Sequence, residues 1–130
     1  RMDAFPGGVP PAGLLARYMR DLTLPFVSAE RADWQYPWAS LRRAGATLAF
    51  GSDWSVSTPD PLALIEVAVN RVAPDDRAGE PFLPVERLDL PAALDAATIG
   101  AAYANRLDAT TGSIEPGKLA DTVQTGRSVR

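Results

Sequence analysis

At 130 residues, 46% hydrophobic and 22% charged, the chain fits one ordinary soluble domain with enough apolar material for a core. Its net charge of -3, and the lack of any dense basic stripe, argue against a generic nucleic-acid binder. There is no cysteine and no histidine, which excludes disulfides, thiolate or imidazole metal ligands, and a Ser-His-Asp triad built from these residues alone.

The N-terminus, Arg1-Met2-Asp3 followed by Phe5-Pro6-Gly7-Gly8, does not read as a signal peptide. No apolar run approaches the roughly eighteen residues of a membrane span. No membrane partner and a cytoplasmic location are therefore expected. A first residue of Arg suggests a piece of something longer. Residues 3 to 12 form a Pro/Gly-rich loop, and Leu14, Leu15 and Met19 are spaced for a short helix over Gly13 to Arg20. Leu22 to Ala32 is ambiguous because Pro25 disfavours either regular structure. The aromatic cluster Trp34-Gln35-Tyr36-Pro37-Trp38 could line a pocket mouth, but burial of large rings against a core is the favoured reading. Pro37 suits a helix start, and Trp38 to Ala44 then ends at Gly45, fit for a left-handed terminus.

Next comes a short apolar run, Ala46 to Phe50, read as a strand buried on both faces. It leads into Gly51-Ser52-Asp53-Trp54 and delivers one carboxylate at its far end. Gly51 would permit close approach of a ligand or an unusual dihedral. Asp53 is either a functional group at a strand end or a plain cap for the following turn.

After the loop Trp54 to Asp60, the Asp60-Pro61 pair signals a helix start, with Asp60 as cap rather than a second catalytic carboxylate. The helix Leu62 to Val69 is apolar nearly all round. Residues 73 to 84 read as a polar surface loop, with Asp75-Asp76 a solvated pair. Asp89 caps an Ala-rich helix that Thr98-Ile99-Gly100 interrupts before a second turn over Ala101 to Ala104. Glu115-Pro116-Gly117-Lys118 has the residues of a type II turn, and Ser113-Ile114 and Leu119-Ala120 would flank it as a hairpin. From Thr122 to Arg130 the apolar alternation is lost.

Tyr36-Pro37-Trp38, Leu41, Ala44-Gly45, Leu48 to Trp54, Pro59-Asp60-Pro61-Leu62, and the later Gly112-Ser113-Ile114-Glu115-Pro116-Gly117-Lys118-Leu119-Ala120-Asp121 together resemble the metal-dependent amidohydrolase superfamily. The branch containing N-substituted formamide deformylases is the nearest in pattern. The resemblance covers roughly residues 34 to 121. It implies an α/β fold: residues 1–108 as the last repeats of a (β/α)₈ TIM barrel, 109–121 as the hairpin starting a small β-sandwich, and 122–130 as an aberrant or disordered tail. It also implies a small-molecule amide substrate and one or two divalent metals, zinc in the usual case. Asp53 matches the family's Asp at the end of the eighth strand, a metal ligand and catalytic proton carrier between water and leaving amine. Trp54 is then a candidate substrate-binding wall. Ser55 stands where the family has Pro, and the His ligands of earlier strands are missing. The reading is therefore a fragment, from a shifted frame or truncated gene, that cannot hold the metal or catalyse alone and can self-associate through exposed barrel edges. A non-catalytic remnant docking through helices 61–69 and 92–104 is one alternative. A free-standing ligand-binding module using the aromatic cluster is another.

Overall fold

The computed structural model describes residues 5–6, 23–52, 54–55, 58–74 and 76–123. The helix expected over Gly13 to Arg20, and all of the tail but Thr122 and Val123, lie outside the described residues. In chain order the elements are strand β1 (Phe5–Pro6), a 3-10 turn (Leu24–Phe26), helices α1 (Ala29–Ala32) and α2 (Trp38–Arg43), strand β2 (Leu48–Ala49), helix α3 (Pro61–Asn70), a second 3-10 turn (Pro84–Glu86), and helices α4 (Leu90–Ala97) and α5 (Ile99–Ala104).

β1 and β2 pair in parallel, Phe5 with Leu48 and Pro6 with Ala49. A parallel pair needs a crossover between its strands, and α1 and α2 lie within it. The fold is thus mixed α/β. β2 is shorter than the five-residue run expected. At its start the Ala46 amide turns back to the Leu41 carbonyl (3.0 Å), and at its end the Phe50 amide goes to Ala96 (2.9 Å). Helices thus take the flanking amides, while Leu48 and Ala49 are buried as a strand covered on both faces should be.

The helix boundaries follow local chemistry. Asp60 accepts the Leu62 amide at 2.9 Å and Asp89 the Ala92 amide at 2.7 Å, so each carboxylate satisfies one of the amides a first turn leaves unpaired. Pro37 sits one position earlier than expected, as the cap of α2. Gly45 has φ +88, the left-handed backbone expected after that helix. α3 buries Leu64, Ile65, Val67 and Ala68, and α4 buries Ala92, Ala93 and Ala96. Small side chains on α4 let the two helices approach closely around one core with Trp38, Leu48, Phe82 and Leu88. α5 lies still closer to the strand: a Cβ on Gly100 would stand 2.1 Å from the Leu48 carbonyl oxygen.

Two expectations are corrected. The segment 73–84 is not simply a surface loop, because Ala73 and Phe82 are buried and the Phe82 amide donates to the Arg71 carbonyl at 2.8 Å. The stretch from 76 to 78 faces solvent, and there Arg77 pairs with Glu66 at 2.7 Å. The turn at 115–118 forms, with Lys118 donating to the Glu115 carbonyl (3.2 Å) and Gly117 at φ +92. The flanking hairpin strands do not form among the described residues. Instead the Leu119 amide bonds Thr110 at 2.8 Å, and Ile114 and Leu119 stay exposed. A lone two-stranded hairpin without a covering layer is marginal in water.

One residue ties the layers together. Arg71, wholly buried at the left-handed C-terminus of α3, donates to the carbonyls of Phe82 (2.8 Å), Tyr36 (3.2 Å) and Gln35 (3.3 Å). Its guanidinium lies 4.7 Å from the Trp38 ring centroid. Burial lowers its pKa to about 10 despite the opposing pull of Glu86 and Tyr36, so it remains a cation at neutral pH. Arg71→Ala, leaving three carbonyls without their donor, is expected to lower unfolding free energy by about 3 kcal/mol in urea titration. Arg71→Met relieves the charge burial and should cost less. Gly100→Ala should cost about 2 kcal/mol by the same assay, because backbone must move to admit one methyl group.

Candidate functional site at the end of strand β2

The carboxyl end of β2 is held from two sides. The Phe50 ring packs at 5.8 Å and a 55° tilt on Trp38, the ring that Arg71 covers. Its amide is fixed by Ala96, whose carbonyl is left to accept it where the backbone breaks at Thr98 (φ -116, ψ -90). The interruption read at residues 98–100 therefore has a use: it lets a helix carbonyl cap the strand.

Beyond Phe50 the chain emerges. Gly51 is exposed, and a Cβ there would meet nothing within 4 Å, so the chain's own packing does not demand glycine at this point. Ser52 is half-buried, and its hydroxyl accepts the Trp54 amide at 3.3 Å. Asp53, the residue singled out as catalytic and metal-binding, lies outside the described residues. Trp54 stands 64% exposed beside the strand end. Asp60 is occupied in capping α3, which removes it as a second functional carboxylate. Asp76 is exposed, and Asp75 lies outside the described residues.

A crevice of about 170 Å³ opens at this end of the strand, lined by Phe50, Gly51, Ser52, Pro59, Pro61, Leu64 and Ala97. A larger cleft of about 330 Å³ lies at the amino end of β2, beside Ala46, Thr47, Asp95 and Tyr103. Among the described residues no group of three or more acidic side chains is arranged to hold a metal ion. With no His and no Cys in the sequence, imidazole and thiolate ligands are absent from these 130 residues, and carboxylates are the remaining charged donors. The described residues therefore do not by themselves form a site that fits a divalent metal.

The aromatic cluster divides. Trp38 is 3% exposed and packs with Tyr36 and Phe50, whereas Trp34 faces solvent. Two charged residues unmarked by any local motif prove central to the support of the site. Besides Arg71, the buried Glu86 accepts the Ser40 amide at 2.8 Å and the Ser40 hydroxyl, with Arg43 at 3.6 Å. It thereby caps α2, which Pro37 cannot do, from 46 residues away. No helix among the described residues is long and apolar enough to cross a membrane.

The model of the amidohydrolase family matches residues 8–124. The chain belongs to that family. Among curated proteins, Protein LONG AFTER FAR-RED 3 of Arabidopsis thaliana is 47% identical over 89 residues, 68% of this chain but 15% of the plant protein. Two solved structures, uncharacterized metal-dependent hydrolases from Pyrococcus furiosus and Pyrococcus horikoshii OT3, superpose with TM-scores of 0.66 and 0.67 at 27% and 26% identity. Each comparison covers 87% of this chain, which spans 21% and 22% of those hydrolases. This amidohydrolase-family chain is therefore similar to about a fifth of either hydrolase.

The cap assignment has a direct check. Asp60→Ala should destabilise by about 1 kcal/mol in thermal or urea unfolding, and Asp60→Asn by much less, since the amide oxygen still caps. An equal loss in both variants would remove the cap as the reason for this Asp.

Proposed function

We propose that this chain is part of a metal-dependent hydrolase that cleaves the C–N bond of non-peptide amides, N-substituted formamides among them. The observation that carries the reading is the family match over residues 8–124, taken with the strand end that leads through Gly51-Ser52 into Asp53. On this reading the chain supplies the closing repeats of a (β/α)₈ barrel, and residues 109–121 begin a small sandwich. The parallel β1–β2 pair and the likeness to the two Pyrococcus hydrolases support it.

Asp53 is the proposed catalytic carboxylate. It takes the proton of the attacking water and returns it to the departing amine as the carbonyl–nitrogen bond breaks, a task suited to a carboxylate. The divalent metal of the whole enzyme, zinc in this proposal, activates water and polarises the carbonyl when bound. Its other ligands come from outside these residues, so the isolated chain is inactive. Trp54, exposed at the strand end, is proposed to contact the substrate.

Docking of a non-catalytic remnant through the apolar helices has less support. α3 and α4 direct Leu64, Val67, Ala68, Ala92, Ala93 and Ala96 into the chain's own core, and only Leu62, Leu90 and Leu94 are left as exposed large apolar side chains on them. Exposed Phe26, Trp34, Val85 and Ile114, which are more exposed than those leucines, are the surfaces through which self-association is proposed.

Complementation tests the hydrolase reading. The chain would be co-folded with the remaining portion of one of the Pyrococcus metal-dependent hydrolases, and hydrolysis of N-benzylformamide followed by amine release. The chain alone should be silent, the reconstituted pair active and chelator-sensitive, and Asp53→Asn slower by about two orders of magnitude or more. Reconstituted hydrolysis undiminished in Asp53→Asn would overturn the role given to that residue. A folded pair without any activity on amides would overturn the reaction.

A further inference from the structure

We propose that Arg71 is a positioning residue for the carboxyl end of β2. Through Trp38 it fixes where Phe50 sits, and so where the Gly51-Ser52 segment that precedes Asp53 begins. That this placement serves catalysis rests on the hydrolase reading. The placement itself rests on the structure alone.

Stability by itself is a weak reason for such a residue. A charged side chain at 0% exposure is costly to desolvate, and an apolar one of similar volume is often no less stable there. What a guanidinium adds is direction, because its planar fork sets the angles at which partners can stand.

Two of its contacts converge on Trp38. Nη1 donates to the Tyr36 carbonyl at 3.2 Å, and the same carbonyl accepts the Trp38 amide at 2.9 Å. The guanidinium carbon also lies 4.7 Å from the centroid of the Trp38 ring. Backbone and ring of one residue are thus held by one group. The Trp38 ring meets that of Phe50 at 5.8 Å, while the Phe50 amide is bonded to the Ala96 carbonyl at 2.9 Å. Phe50 is placed through its ring from one side and through its amide from the other.

The backbone around the guanidinium is a second, independent sign. Among the described residues four non-glycine residues have positive φ, and three of them belong to this cluster. Tyr36 (φ 52) presents one acceptor and Arg71 (φ 60) carries the donors. Leu83 (φ 47) directly follows Phe82, whose carbonyl accepts Nε at 2.8 Å. Left-handed backbone is unfavourable for side chains of this size and persists where the surroundings over-determine it, as they do at functional sites. Three residues beyond Leu83, Glu86 fixes the start of α2 through Ser40. The helix that carries Trp38 is therefore held by the same stretch of chain that Arg71 orders.

The test compares Arg71→Met with Val67→Ala in the full chain, isotope-labelled and followed by amide hydrogen exchange while both are folded. Val67 is equally buried, on α3, and has no part in the Trp38–Phe50 contact. In Arg71→Met the Phe50 amide should gain about tenfold or more in exchange rate over the gain at Ala93, an amide of the α4 core bonded to Asp89. Val67→Ala should speed both amides by the same factor. If Arg71→Met does not fold, Arg71→Lys, which keeps the charge and loses the fork, is read in its place. Equal acceleration at Phe50 and Ala93 in the Arg71 variant would leave Arg71 a general core residue and overturn the proposal. In the reconstituted hydrolase the same variant should lower kcat about tenfold or more with KM little changed, as displaced catalytic groups do. An unchanged kcat there would remove the catalytic meaning. A pair silent with Arg71 intact counts against the hydrolase reading only, and the exchange comparison on the chain then decides alone.

Discussion

The constraint on which the rest of this structure depends is a cation buried in its core. Arg71 gives up bulk water, a transfer that costs several kcal/mol for an uncompensated ion, and among the described residues it is offset by the carbonyl groups that receive it. Three carbonyls from two separate loops converge on one planar group, and the Trp38 face accepts it from the side. Lysine could offer charge but not this fork. The lowered pKa is the sign that desolvation outweighs the compensating charges, so Arg71 buys its place through the order it imposes on the carbonyl groups around it.

That order propagates toward the site in short steps. Arg71 covers Trp38, Trp38 packs on Phe50, and Phe50 is the last residue before the strand emerges. From the opposite side Glu86 gathers the amide and hydroxyl of Ser40, fixing the start of the helix that carries Trp38. The two buried charges are complementary in what they recognise. The guanidinium satisfies carbonyls left by irregular backbone, and the carboxylate satisfies an amide left by a helix beginning at proline. Each covers a deficit that secondary structure cannot cover itself.

How much of this was legible in the sequence follows from the range of each interaction. Asp60 and Asp89 cap amides two and three residues away, Gly45 and Gly117 take the left-handed backbone their turns require, and all four could be read from neighbours alone. The small residues of α4 likewise announced a close approach. Arg71 and Glu86 could not be read, because their partners lie 35 and 46 residues away and nothing local distinguishes them from surface charges. Phe82 was hidden in the same way inside a Pro-rich stretch, its burial set by the Arg71 carbonyl and not by any periodicity. The hairpin failed for the reverse reason: the turn is local and formed, but strands need a covering layer that the described residues do not provide.

The same distinction applies to the site. The approach to Asp53, an apolar strand ending in Gly-Ser, is short-range information and the structure contains it, tied down by Ala96 and Trp38. Metal chemistry is long-range information, because a metal centre collects donors from several strand ends, and a chain without His or Cys has little of it to give. Family membership and donor count therefore address different questions. Membership assigns the ancestry of the fold, while the donor count says only that imidazole and thiolate ligands are absent from these 130 residues. A chain of this kind can keep the apolar, pre-formed features of its site, which depend only on its own packing.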